Sequence, residues 1–518
     1  MGKKEFFSKN RVWFGDLHNH CGISYGHGPL DVAYKNAMLQ LDFASVTGHA
    51  AWPDIGDQKI SPEVEAYHRR GFESLRNRWA YYLDVTEQFN EPGRFVTFFG
   101  YEIHSFRYGD RTVISPDGPP ALPGDIGIED FVRLLVETDA RRDRKLLLPH
   151  HIGYKTGFRG IDWDYLRESA SPLVEILSMH GLAEEEYTLF PYLHTMGPLD
   201  GGNTLAAGLA KGHRFGVVAN TDHHSAHPGS FGYGKTGVWA PSLDREALWE
   251  AFLKHRTFAL SGDRVILEFS CDGVPMGGSL PASGLPRAIS VGVRANSPIE
   301  RVDILRNGSV VCDRSPPPSS LDFSGFNQGT PEEGILTIEM GWGEKGKLFD
   351  WDFEVRFEGS ELLEIEPRFR GKDIVDPLDS ANGLFSLTSW QRIGSTGIHL
   401  STKTFGNSTA NTSQTQAMAF RLLGCSEDTV NILMNGRSIS MTLKDLALES
   451  RVFYTGAFIT PALRMHRFVP SKACNLTVDF EDMGSPAGGD VYYARVALKN
   501  GHGAWSSPIW VDGSKGAP

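Results

Sequence analysis

The chain has 518 residues, of which 51 are Lys or Arg and 63 are Asp or Glu, giving a net charge of −12. That length exceeds one ordinary core and implies roughly three domain equivalents of about 150 residues, or a large barrel with appendages. A mildly acidic chain has no bulk attraction for nucleic acid or an anionic membrane, and a local basic pocket for a small anion stays open.

Five scattered cysteines without a Cys-x-x-Cys pair argue against a disulfide framework or a thiolate zinc site, and fit a reducing compartment. Met1–Asn10 is charged and shows no signal-peptide pattern, and no run of about 18 apolar residues predicts a membrane span. The expected location is cytoplasmic.

In chain order, apolar runs Val12–Phe14, Phe43–Thr47, Phe95–Gly100, Lys145–Pro149, Leu173–Ser178 and Phe215–Asn220 predict buried strands. Helical patterns over Pro29–Leu41, Ser61–Asn90 and Ile128–Thr138 lie between them. Such alternation predicts an α/β fold with a parallel sheet, closed into a barrel, over residues 1–264. From residue 265 the texture changes to short alternating segments such as Val265–Ser270, Ala288–Val293, Val302–Leu305 and Tyr492–Leu498. This predicts antiparallel β structure over 265–518, as one or two sandwich-like modules. Ser315–Ser320 and Ser408–Gln416 read as loops. Trp342, Trp351 and Trp390 offer a sugar platform, or more ordinarily core packing.

Histidine divides the chain sharply. Fifteen of the eighteen lie in residues 1–262. Core packing does not call for so much imidazole, whereas a multi-metal site does. Six successive strands end in potential ligands: His18 and His20, His49, Glu102, His150, His180, and Asp222 with His224. A His-x-His pair alone is weak evidence, but the C-terminal ends of barrel strands share one mouth. His151 and His223 sit beside these positions and are expected to point away from the metals, as substrate contacts or structural residues. Lys155, Arg159 and Lys235 are candidate anion contacts, and His227 and His104 candidate general acids.

This ordered set resembles the PHP superfamily of polymerase and histidinol phosphatase domains. The resemblance implies a distorted seven-stranded (β/α) barrel with a di- or trinuclear site of Zn, Mn or Fe. Carried onto this chain, His18, His20, Glu102 and Asp222 hold a first ion. Glu102 bridges to a second ion held by His150 and His180, while His49, His224 and His27 belong to a third. The family's Thr-Asp-His is Thr47-Gly48-His49 here, so one supporting carboxylate is missing. The segments around Glu175–His180, Asp222–Gly229, His255–Gly262 and Ala504–Trp510 are similar to a branch of that superfamily with a C-terminal β region.

The implied reaction is hydrolysis of a small-molecule phosphoester by a hydroxide shared between cations, with Glu102 and Asp222 at its centre. An amide, lactone or carboxylic ester would yield to the same nucleophile. A non-catalytic barrel that displays the β region to a partner is the reading from another class, separable by metal content.

Overall fold

The structure is a computed structural model describing residues 3–513, apart from 118–121, 123–125, 283–284, 324–325, 328, 373–383 and 408–414. Most of the predicted loop at Ser408–Gln416 therefore lies outside the described residues, and its last residue opens the strand Gln416–Gly424.

Among the described residues, the first 260 carry thirteen strands. They are β1 (Arg11–Asp16), β2 (Phe43–Ala44), β3 (Gly48–Ala51), β4 (Val96–Thr97), β5 (Phe99–Ile103), β6 (Arg111–Ser115) and β7 (Leu146–Pro149). There follow β8 (Leu173–Ser178), β9 (Gly181–Leu182), β10 (Leu193–His194), β11 (Gly216–Ala219), β12 (Lys235–Ala240) and β13 (Thr257–Leu260). Helices Leu30–Met38, Pro62–Asn77, Trp79–Gln88 and Ile128–Glu137 fall where the 3.6-residue period places them. Ser61 caps the second of these by accepting from the Val64 N–H, with Pro62 at the first helical position.

The strands are mixed rather than wholly parallel. β1–β2, β2–β4, β3–β5 and β8–β11 pair in parallel. β6 lies antiparallel between β5 and β7, and β12 lies antiparallel between β1 and β13. The reason is local. After β5 the chain turns back within Ser105–Asp110, too short a connection for the crossover that a parallel neighbour requires. β7 packs beside β8, and β11 packs beside β12 and β13. Two buried apolar clusters, one around Tyr34, Leu75 and Phe95 and one around Phe43, Val96 and Phe252, support these strands from beneath.

The remaining chain is strand-rich. One core is shared by Val265–Cys271, Arg287–Ala295, Asn475–Asp482 and Val491–Leu498, together with Phe14, Trp239 and Phe258 from the first region. A second core, with Trp351 and Phe353 facing Leu336 and Phe420, lies between two antiparallel sheets built from residues 332–465. Trp351 is buried with its indole N–H on Thr404, so it is a core residue, and the Trp390 indole donates to the Leu39 carbonyl. The two regions share a sheet, because β13 pairs antiparallel with Gly503–Ser506. No helix among the described residues is long and apolar enough to cross a membrane.

Candidate metal centre

Two chain segments that follow β1 and β11 are zipped together by backbone hydrogen bonds. Asp222 N–H donates to the His18 carbonyl at 2.7 Å, and His20 N–H donates to the His223 carbonyl at 2.8 Å. Below them the buried Asp16 carboxylate accepts from the Thr221 hydroxyl and from the backbone N–H groups of Thr221 and Gly229. Burial pushes this carboxyl up to about 6 against those donors. The backbones of His18, His20 and Asp222 are thereby fixed relative to each other.

The imidazole Nε2 atoms converge on two carboxylates. Nε2 of His20 and of His49 each lie 3.2 Å from Glu102 Oε2, and that of His18 lies 3.6 Å away. His150 Nε2 sits 2.9 Å from the other oxygen of Glu102. Asp222 Oδ1 is 2.9 Å from His20 Nε2, and Asp222 Oδ2 is 3.2 Å from His180 Nε2. The combinations His20–His49–His224, His18–Glu102–His150 and His18–His20–Asp222 each place three donor atoms within 4.8 Å of one another.

The opposite ring nitrogens are held from behind. His18 Nδ1 faces Glu175, His49 Nδ1 faces the Ser24 hydroxyl and His150 Nδ1 faces the Thr112 hydroxyl. His224 Nδ1 lies 2.7 Å from the Asp222 carbonyl, and His180 Nδ1 lies 3.5 Å from Thr195. An imidazole anchored through one nitrogen presents the other in a set direction, the usual arrangement around a bound cation.

Burial pushes the Glu102 carboxyl up, but His104, His49 and His150 around it prevail and hold it well below the usual range. Asp222 is likewise raised by burial and lowered further by His18, His180 and His151. Burial, reinforced by neighbouring imidazoles, holds His49, His224 and His151 well below their ordinary values, leaving lone pairs free. His18 alone is raised, with burial opposed by Asp222, Glu175 and Glu102.

His27 joins the cluster through its backbone, whose N–H donates to the His224 carbonyl at 2.7 Å. His151 departs from expectation. It does not point away: its Nε2 lies 3.2 Å from Asp222 Oδ2. Strand alternation fails because His151 has left the strand and adopts a left-handed φ of 53°, which turns both it and His150 inward. His223 does turn aside, where its Nδ1 accepts from the Ser225 N–H. His227 is buried next to Gly371, and neither of its ring nitrogens has a hydrogen-bond partner among the described residues. The structure does not bring it to the carboxylates.

Of the basic residues, Arg159 alone reaches the cluster. It bonds Asp110 at 2.7 Å and His104 Nδ1 at 2.7 Å, and its guanidinium lies over the Trp52 ring. Lys155 is exposed. The Lys235 ammonium is buried against the Gly262 carbonyl, where burial pushes it down to about 8.

Sequence reasoning missed Asp110, Tyr25 and the role of Glu175. Tyr25 stacks on His49 at 3.5 Å between ring centroids and bonds His104 through its hydroxyl. The available signal for Glu175 is an acid in the interior of an otherwise apolar strand. Asp110 and Tyr25 lie in loops, where spacing carries no information.

The centre is enclosed on most sides. The side chains of Glu102 and Asp222 are 2% and 3% exposed, whereas those of His224, Arg159 and His180 reach 27%, 17% and 16%. The most solvent-accessible side chains of the centre are therefore those of His224, Arg159 and His180.

No family model matches the chain. An uncharacterized protein of Chlamydia pneumoniae is 24% identical over 279 residues, 50% of this chain and 44% of that protein. One of Chlamydia muridarum is 24% identical over 265 residues, 48% of this chain and 42% of its own. The chain thus spans less than half the length of these curated relatives. Among solved structures, a two-domain protein from Bacteroides vulgatus, described as containing a predicted PHP-like metal-dependent phosphoesterase, is similar at 12% identity. Its TM-score is 0.32, over 84% of this chain and 95% of that one.

Proposed function

We propose that the chain is a metal-dependent phosphoesterase acting on a small-molecule phosphate mono- or diester. In this reading residues 1–264 are a distorted (β/α)7 PHP-type barrel, and residues 265–518 are a β region of one or two sandwich-like modules. The observation that carries it is the convergence of His18, His20, His49 and His150 through Nε2 on the two oxygens of Glu102.

The donor set fits divalent cations. Glu102 Oε2 is buried without a hydrogen-bond partner among the described residues, although imidazoles crowd around it. Nitrogen and oxygen donors without thiolate suit Zn, Mn or Fe. His18, His20, Glu102 and Asp222 would hold one ion, Glu102, His150 and His180 a second, and His49, His224 and His27 a third. His151 is added as a donor to Asp222's side of the centre. Such ions supply Lewis-acid polarisation of the phosphoryl group and bring the pKa of water toward neutrality.

The chain's own residues do the rest. Glu102 and Asp222 stay ionised at neutral pH, while His49, His151 and His224 stay neutral as donors. Glu175, Ser24 and Thr112 fix ring orientation. Arg159, at the accessible edge, presents a fixed positive charge to a phosphoryl oxygen, its plane set by Asp110 and Trp52. His223 is the further candidate for substrate contact.

The test is a panel of p-nitrophenyl phosphate, bis-(p-nitrophenyl) phosphate and p-nitrophenyl acetate, assayed after loading with Mn, Zn or Fe. Turnover of a phosphate ester, lost in Asp222→Asn, is the expected result. Turnover of the acetate alone would move the assignment to carboxylic esters. No turnover at full metal occupancy would overturn it.

A further inference from the structure

We infer that a second ligand site, for a small organic anion bearing a phosphate or carboxylate group, lies where the first region meets the β region. A cavity of about 380 Å³ opens there, within the size range of small-molecule sites. It shares no lining residue with the metal centre.

The lining charge runs against that of the chain as a whole. Arg368, Arg370 and Arg467 face one carboxylate, Glu339, in a protein of net charge −12. Glu339 is already engaged, accepting from Thr415 at 2.6 Å and lying 2.8 Å from His466 Nε2. Arg368 is matched by Asp263 and Glu366. Arg467 is not so matched. Its hydrogen bonds go to the carbonyls of Ala447 and Leu321, and no carboxylate lies within ion-pair distance among the described residues. Carbonyl bonds hold a guanidinium in place without neutralising it, so its charge remains for an anion. Planar guanidinium forks match the oxygens of phosphate and carboxylate groups.

The other walls suit the body of such a molecule. His502, Asn500 and Ser297 offer polar contacts, while Ile335, Val469 and Phe231 supply apolar area. Phe231 belongs to the loop that follows β11, and its carbonyl accepts from Arg370 at 3.1 Å. The cavity is thus lined by the β region, with Phe231 as the wall that the first region contributes.

The experiment titrates the full-length, metal-loaded chain with inorganic phosphate and, separately, with succinate, reading heat and stoichiometry and assigning to this cavity the binding that persists in Asp222→Asn. Arg467→Gln removes the unmatched charge, and Thr337→Phe fills the cavity without removing any charge. Each is expected to weaken binding at this site by about tenfold or more, while Asp222→Asn leaves it unchanged. Which probe binds tells phosphate recognition from carboxylate recognition. Should Arg467→Gln lower the melting temperature by itself, Thr337→Phe decides the matter. Wild-type affinity in Thr337→Phe, or failure of both probes to bind the wild-type chain, would overturn the inference. Loss of phosphoester turnover without loss of this binding would count only against the metal-centre reading.

Discussion

His18 Nδ1 lies 3.1 Å from Glu175 Oε2, in the interior of β8, and this contact aims Nε2 at Asp222 and Glu102. Asn220 in turn donates to the same Glu175 oxygen at 2.8 Å, so the carboxylate is itself held in place. Glu175→Gln keeps the volume and removes the charge that raises the basicity of the ring. The expected outcome is a 10- to 100-fold, order-of-magnitude loss of metal affinity in a folded protein. Competition against a chelating dye measures it, and unchanged affinity would show that backbone bonds alone orient His18.

Metal removal should be visible as stability. Ions that bind the folded chain and not the unfolded one add about 4 kcal/mol when present at roughly a thousand times their dissociation constant. The proposed ligands come from separate stretches of chain between His18 and His224, so no local fragment of the unfolded state reproduces the site. Calorimetry before and after chelation should show a lower melting temperature, restored by Mn or Zn. Identical curves would mean that the cluster is held by hydrogen bonds without ions.

Much of this centre was readable in advance, for a physical reason. A buried strand must be an apolar run, and a polar residue just beyond it marks the end of that run; six such ends named His18 and His20, His49, Glu102, His150, His180, and Asp222 with His224. The reading failed where backbone conformation breaks the alternation, as at His151. It failed again where a partner is distant in sequence and unmarked, as in Arg159 with Asp110. Lys235 looked like an anion contact because its burial in β12 follows from the pairing of that strand with β13, which spacing does not reveal. The antiparallel β6 escaped for a related reason: Arg111 at its start is fully buried, and a charged residue in a strand ordinarily reads as exposed.

His227 should make the protein acid-sensitive. Burial, with His223 adding to it, pushes this imidazole down to about 3, against an ordinary value near 6.5. Between those values the unfolded chain binds a proton that the folded chain refuses, so stability falls as pH drops below about 6.5. The loss reaches roughly 2 kcal/mol by about pH 5, at about 1.4 kcal/mol for each pH unit. His227→Leu cannot titrate and should make that part of the stability profile shallower, by about the slope of one proton, in denaturant melts run from pH 7 to 5. A profile as steep as the wild type would assign the acid sensitivity to other groups.

Glu184 gives the sharpest test of how the two regions depend on each other. It follows β9, is fully buried, and accepts from three residues of the last strands: Arg495 at 2.9 Å, Tyr493 at 3.0 Å and the Trp505 indole at 2.7 Å. Asp303 takes the other side of Arg495, at 2.8 Å. Removing Glu184 leaves the Tyr493 hydroxyl and the Trp505 indole without their acceptor, and the buried Arg495 guanidinium with Asp303 and Glu185 as its remaining carboxylates. Glu184→Ala should therefore cost roughly 3–5 kcal/mol, as expected when one partner of a buried ion pair is deleted. Because β13 also pairs with Gly503–Ser506, the loss should appear as one cooperative transition shifted as a whole. Two separated transitions would show instead that each region holds its own fold, with Glu184 stabilising only their contact.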